Sequence, residues 1–493
     1  MSAYADVIRG MLTLGVGQLL TWVGAVVILV VMPRYLGDVN LGKLSFAFAL
    51  TALFGLVADL GGATLLAKEV ARDTSRTAAL TRAVLLTRLP LGVVAALMAI
   101  GFVWFTGYDE ITKQIVYVLC VGTILTAIGN TIGGALQGLQ RMRALTASMV
   151  SGKLLQAGIV AALLLNGAGP LQVAYVSVFA TVVGAAVGAI ALRRDLFRHA
   201  LVDRALLLQV LAAGLPFFVW QASLVVYGSV DIVLLSIMTG DAVVGWYAAA
   251  YRIIMLPSFV PTIVATAAFP ALSAASHDPA RFGDIARRCV QLVCLVTVPI
   301  ALGVLVLPDK LIDALGYPAA FAHSIVPIML LSLHVPFAGI DMIVGTMLAT
   351  TDRQRSWAMT GVAAAFLNPA ANLIAIPATQ HQYGNGAIGA SIVTVLTELF
   401  MLTVGLRLMP AGLLPRSTVA YVGKCLLAGL LMAATVLSLH DLPLPLIVPL
   451  GGIVYAVSSL ALRTISTREL RIIVRDVFGR GRLSQARPRQ VEG

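Results

Sequence analysis

Six ionisable side chains interrupt otherwise apolar stretches of this sequence: Asp59, Arg88, Asp231, Arg252, Asp341 and Glu398. Inside a bilayer each would cost roughly 3 kcal/mol or more, so such groups face a bundle interior or an aqueous cavity. Arg252 and Glu398 fall deepest in their runs, Asp59 and Asp341 in the halves read as cytoplasmic, and Asp231 nearer the opposite end. Arg88 is within snorkelling reach of the inner interface. A guanidinium at the midplane suits an anion, above all a phosphate or pyrophosphate, which its planar fork binds with two hydrogen bonds. The alternative is a structural ion pair of Arg252 with Asp231 or Asp59. Gln18, Asn130, Gln137, Gln221, Tyr227, Tyr251, Asn368 and Asn372 could line a sugar-compatible cavity or hydrogen-bond between helices. The candidate substrate-binding set is therefore Arg252, Arg88, Asp59, Asp231, Glu398, Asn368, Asn372, Gln18 and Tyr251.

No catalytic or metal site can be drawn from the remaining residues. The six histidines are scattered, and Cys120, Cys289, Cys294 and Cys425 lie in apolar surroundings without metal or pairing spacing. Gly37-Asp-Val-Asn-Leu-Gly42-Lys43 has most of a phosphate-loop spacing, but Leu44 stands where a Mg²⁺-binding hydroxyl is needed. No cofactor is expected.

The elements that must carry these groups are membrane spans. Mean hydropathy is +0.95. Hydrophobic residues make up 59% of the chain and charged residues 11%, which excludes a soluble globular protein. Windows of about 20 apolar residues give fourteen spans, near 10–32, 44–66, 84–106, 115–137, 150–166, 171–192, 208–236, 243–272, 289–307, 322–349, 357–376, 387–406, 420–438 and 446–462. Of the 34 Lys and Arg, 28 lie on or within about one helical turn of the N-terminus, the even connections and the C-terminal tail, and only Arg34, Lys43, Lys113 and Lys310 lie on odd ones. Basic loops stay in the cytoplasm, so both termini are predicted there, in the inner (plasma) membrane. The net charge of +12 follows from that rule and from anionic lipid, and nucleic acid is not an expected partner. The first apolar run is too long for a cleavable signal and should remain as a helix.

Two patterns point to duplication. Gly37-Asp38 with Gly42 recurs 203 positions later as Gly240-Asp241 with Gly245, and Gly133, Arg141, Arg143 recur 212 later as Gly345, Arg353, Arg355. A six-helix unit has an even number of spans, so both copies insert alike, which predicts two lobes related by an axis along the membrane normal. The expected division is a first lobe over 1–205, a second over 206–412, spans thirteen and fourteen over 413–465, and a basic tail over 466–493. In that tail Leu470, Ile473, Val474, Val477 and Phe478 repeat at helical spacing opposite Arg468, Arg471 and Arg475, predicting an interfacial amphipathic helix.

Several stretches resemble one family. Leu215-Pro216, Asp231, Gly240-Asp241, Gly245-Trp-Tyr247, Ala250-Tyr-Arg252 and Phe269-Pro270 are similar to the polysaccharide and O-antigen flippases, as are Asp59-Leu-Gly61-Gly62 and Gln137-Gly138 with Arg141. Leu367-Asn368, Asn372, Ile376-Pro377, Gly389-Ala390 and Glu398 resemble the wider multidrug/oligosaccharidyl-lipid/polysaccharide exporter superfamily. The resemblance implies an all-α protein with two six-helix lobes in a V around a central cavity, plus two extra C-terminal helices. It implies a transporter that moves an undecaprenyl (pyro)phosphate-linked oligosaccharide to the outer face for polysaccharide biosynthesis. The implied partners are that lipid-linked substrate, membrane lipids, and polysaccharide polymerase and export proteins. Two other readings are a cation-coupled drug or metabolite exporter of the same fold and a membrane glycosyltransferase or ligase. Short external connections disfavour the last, because holding donor and acceptor calls for a large loop.

Overall fold

A bilayer offers the backbone no hydrogen-bonding partner, so apolar segments of this length close their own bonds as helices. The computed structural model describes residues 2–196, 202–409 and 416–464, and no strand occurs among them. The basic tail beyond 464 lies outside the described residues.

The helices are α1 (Ser2–Asp59), α2 (Gly62–Arg72), α3 (Thr77–Phe105), α4 (Glu110–Gly138), α5 (Met142–Leu165), α6 (Pro170–Leu196), α7 (Arg204–Met238), α8 (Asp241–Met255) and α9 (Phe259–Ala274). They continue as α10 (Pro279–Val306), α11 (Pro308–Ala314), α12 (Ile325–Ser332), α13 (His334–Thr350), α14 (Gln354–Tyr383), α15 (Gly386–Leu408), α16 (Arg416–Ser438) and α17 (Leu444–Ala461). Thirteen helical stretches among the described residues are long and apolar enough to cross a membrane. The first of them, Gly15–Asp59, contains two spans. Gly37 breaks it with φ 73° and ψ 178°. The Arg252 guanidinium touches both Met32 and Ser45. A straight helix would hold those two residues about 20 Å apart, so the chain reverses at Gly37. Fourteen spans result, as the hydropathy reading predicts.

Three spans are interrupted near the middle or end, which is tolerated only where neighbouring protein satisfies the freed backbone. Leu60 (φ 39°) and Gly61 (φ 66°) break the second span before α2. A 3₁₀ turn at Leu256–Ser258, with Pro257 at its centre, separates α8 from α9. Leu333 separates α12 from α13.

Helices α1 to α6 pack on one another, chiefly α1 on α5 and α3, and α4 and α5 on α6. In the second half α14 packs on α15 and α7, α13 on α15, α9 and α10, and α16 on α10 and α17. The two halves meet through α1 against α7 and α8, and through α2 and α3 against α7.

The duplicated glycines build one of these seams. A Cβ on Gly42 would collide with the Asp241 carbonyl, and a Cβ on Gly245 with the Asp38 carbonyl. Each copy of the Gly-Asp pattern thus packs on the other, as two-fold-related segments do. Lys43 pairs with Asp109 and lies 3.8 Å from Asp241, while Trp246 Nε1 donates to Asp38 (3.0 Å). This joins the two halves at the end of the bundle that carries the first, third and seventh connections. At the Asp109 carboxyl, partial desolvation opposes ionisation but is outweighed by hydrogen bonds from Lys43 and Thr112, and its pKa lies below the ordinary value.

Candidate functional site

Arg252 sits in the last turn of α8, just before the Pro257 break. Its Nη2 is 3.4 Å from Ser45 Oγ and its Nη1 is 3.8 Å from the Met32 sulfur. Among the described residues no carboxylate lies within ion-pair distance of it. The ion pair with Asp231 or Asp59 does not form, because both acids are engaged elsewhere.

Arg252 instead lines a cavity of about 780 Å³ between α1, α5, α6 and the α8–α9 break. Tyr251, Lys153, Gln156, Trp22 and Phe259 share its wall. Two cationic side chains and no carboxylate face this space, so its field favours an anion. Lys153 is not among the candidates that the sequence singles out. It lies inside the apolar run of α5, and that position was the available signal.

Arg88 does not reach the interface. It is 2% exposed, held between the second span and α4. Because Leu60 and Gly61 leave the helix, the Asp59 carbonyl is free and accepts from Arg88 Nε (3.1 Å). Nη1 donates to Thr131 Oγ1 (2.8 Å) and to the Ala127 carbonyl (3.3 Å), and Nη2 pairs with the Asp59 carboxylate. With its donors spent on protein, Arg88 serves as a clamp. Both residues of the pair border a second cavity, of about 340 Å³, between α1, α3, α4, α6 and α7.

Asp231, Glu398, Asn368 and Asn372 come together in the second half, all 4% exposed or less. Asp231 accepts from Tyr247 Oη (2.9 Å), Thr394 Oγ1 (2.9 Å) and Asn372 Nδ2 (2.8 Å), and Asn372 Nδ2 also donates to Asn368 Oδ1 (3.0 Å). Glu398 accepts from Tyr227 Oη (2.7 Å) and faces His334 Nε2 at 3.3 Å. These bonds tie α7, α8, α13, α14 and α15 together. Two buried oxygens, Asn372 Oδ1 and Asp341 Oδ1, keep no hydrogen-bonding partner among the described residues. Gln18 stands on an exposed face of α1 and lines neither cavity.

The family described as polysaccharide biosynthesis protein matches residues 7–276, more than half of the chain. The chain belongs to that family. The MatE family also matches residues 216–374. A search of curated proteins finds no match. Among solved structures, lipid II flippase MurJ in an inward closed conformation superposes with a TM-score of 0.73 at 15% identity, covering 94% of this chain and 99% of that one. An inward-facing multidrug resistance MATE family transporter of the MOP superfamily gives 0.64 at 17% identity, over 84% and 98% of the two chains. An outward-facing one gives 0.54 at 17% identity, over 85% and 94%. The chain thus has the family of the polysaccharide biosynthesis proteins and the fold of these flippase and transporter structures.

Proposed function

We propose that this chain moves a polyprenyl (pyro)phosphate-linked oligosaccharide from the cytoplasmic to the outer leaflet of the inner membrane. In this reading both termini are cytoplasmic, and the lobes span 1–205 and 206–412 with two added helices over 413–465. The observation that carries it is the 780 Å³ cavity with Arg252 and Lys153 in its wall and no carboxylate. That volume falls within the range of specific ligand sites, and a diphosphate would supply the charge the two cations lack. Polymerase and export proteins of the same polysaccharide pathway would be its partners.

The match of residues 216–374 to MatE favours a second reading, a cation-coupled exporter of organic cations. Its cavity would present acids and aromatic faces to the cargo, whereas no carboxylate lines the larger cavity here and Asp231 and Glu398 are buried in hydrogen bonds.

Reconstitution separates the two. Vesicles holding the full chain and an undecaprenyl pyrophosphate-linked oligosaccharide should expose the sugar to an added impermeant glycosidase faster than protein-free vesicles do. Equal rates in both, together with uptake of an organic cation such as ethidium, would replace the first reading by the second.

A further inference from the structure

The smaller cavity has a chemistry the larger one lacks. The two adjoin, since Phe48 and Ser177 line both. Asp59 keeps 26% of its side chain exposed while the paired Arg88 keeps 2%, so the carboxylate, with its charge balanced from behind, is the part that faces the cavity. Asn130 and Gln221 also face it, and both are exposed. Among the described residues neither amide has a hydrogen-bonding partner, although amides in contact with hydrocarbon or packed in protein find one. Each offers two N–H donors and a carbonyl acceptor. A sugar hydroxyl donates and accepts at once, and a carboxylate flanked by two carboxamides meets both demands. A second phosphate would instead meet the exposed face of Asp59 with no free cation beside it.

We infer that this cavity, walled by Asp59, Asn130 and Gln221, is the subsite that reads a neutral sugar of the lipid-linked chain while Arg252 and Lys153 hold its phosphate next door. The inference rests on the flippase reading above, and it assigns the choice of glycan to a cavity that the first half of the chain shares with α7. An organic cation is the competing occupant, but Arg88 has already neutralised the one carboxylate that would attract it.

Equilibrium binding, read from the fluorescence of the full-length protein, with Trp22 in the wall of the larger cavity, tests this. The probes are a short-chain polyprenyl pyrophosphate without sugar and the same lipid carrying glucose, galactose, mannose or N-acetylglucosamine. In the wild type at least one sugar-bearing lipid should bind about tenfold more tightly than the sugar-free lipid, the worth of one or two good hydrogen bonds. Asn130→Leu and Gln221→Met should each bring that ratio toward one, and binding of the sugar-free lipid reports that they are folded. Arg252→Ala should weaken both lipids and leave the ratio as it was. The subsite is refuted if the wild type prefers no sugar-bearing lipid, if the preference survives both substitutions, or if ethidium displaces the sugar-dependent part of binding. If the wild type binds neither lipid, or Arg252→Ala changes neither affinity, the flippase reading itself fails.

Discussion

The space around Arg252 and the polar network around Asp231 use similar residue types to opposite ends. In the first, Arg252 and Lys153 border a cavity and carry no acidic partner among the described residues. In the second, Asp231 and Glu398 are buried and receive bonds from Tyr247, Thr394, Asn372 and Tyr227. A charged group left facing space is available to a ligand, whereas one already bonded holds helices in register. Depth in the apolar run does not separate these cases, because Arg252 and Glu398 both fall near the middle of theirs. What separates them is whether a neighbouring helix brings a partner.

The largest effect that would sharpen this contrast is expected at Arg252. Arg252→Ala should lower flipping of a pyrophosphate lipid about 100-fold, the loss of two charge-assisted hydrogen bonds, with the protein inserted and folded. Arg252→Lys should lose about tenfold, because the charge remains but the fork is gone. Both are checked by initial rates normalised to protein recovered in the membrane. Failure of Arg252→Ala to express would return the residue to a structural role.

The network should respond in stability instead. Asn372→Leu leaves Asp231 Oδ1 unsatisfied in the interior and should cost about 2–3 kcal/mol. Asn130→Leu removes no protein contact and should stay within about 0.5 kcal/mol. Thermal unfolding of both variants in the same detergent breaks the comparison if the order is reversed.

How much of this could be read in the sequence divides along the same line. The fourteen spans were legible, since hydropathy directly reflects bilayer thickness; Gly42 and Gly245 were legible as a recurring pattern but not as a contact between its two occurrences. Arg252 was legible as a cation near the midplane. That Asn130 and Gln221 face a cavity while Asn368 and Asn372 bond within the bundle was not. A membrane helix is apolar all round, so no periodicity marks its inward face. Arg88 was read as a snorkelling residue because its partner Asp59 lies 29 positions away, beside a helix break at Leu60 and Gly61 whose effect on the Asp59 carbonyl only the fold reveals.

A smaller effect is expected from Gly245→Val. Its side chain would strike the Asp38 carbonyl and open the seam. A cysteine at Gln156, in the cavity wall, should then react several-fold faster with an impermeant thiol reagent added outside, and an unchanged rate would mean that the seam is not the gate.

Glu398→Gln should slow turnover by a few-fold and flatten its pH profile if a carboxylate there exchanges a proton during transport. An unchanged rate and profile would leave it as a hydrogen-bonding residue only. The Lys43–Asp109 pair does not confuse this assay. The carboxyl's pKa is below the ordinary value in the folded protein, so the stability it contributes is present above the unfolded pKa of about 3.9 and is lost only as pH falls through the lower folded value.

The most direct measurement is charge reversal of the cavity. Vesicles with the wild type or with Arg252→Glu and Lys153→Glu together are assayed side by side for exposure of a lipid-linked oligosaccharide and for ethidium uptake. The account predicts that the wild type moves the lipid and not the cation, and that the reversed protein, still inserted and folded, no longer moves the lipid. A wild type that accumulates ethidium, or a reversed protein that flips the lipid at the wild-type rate, contradicts it.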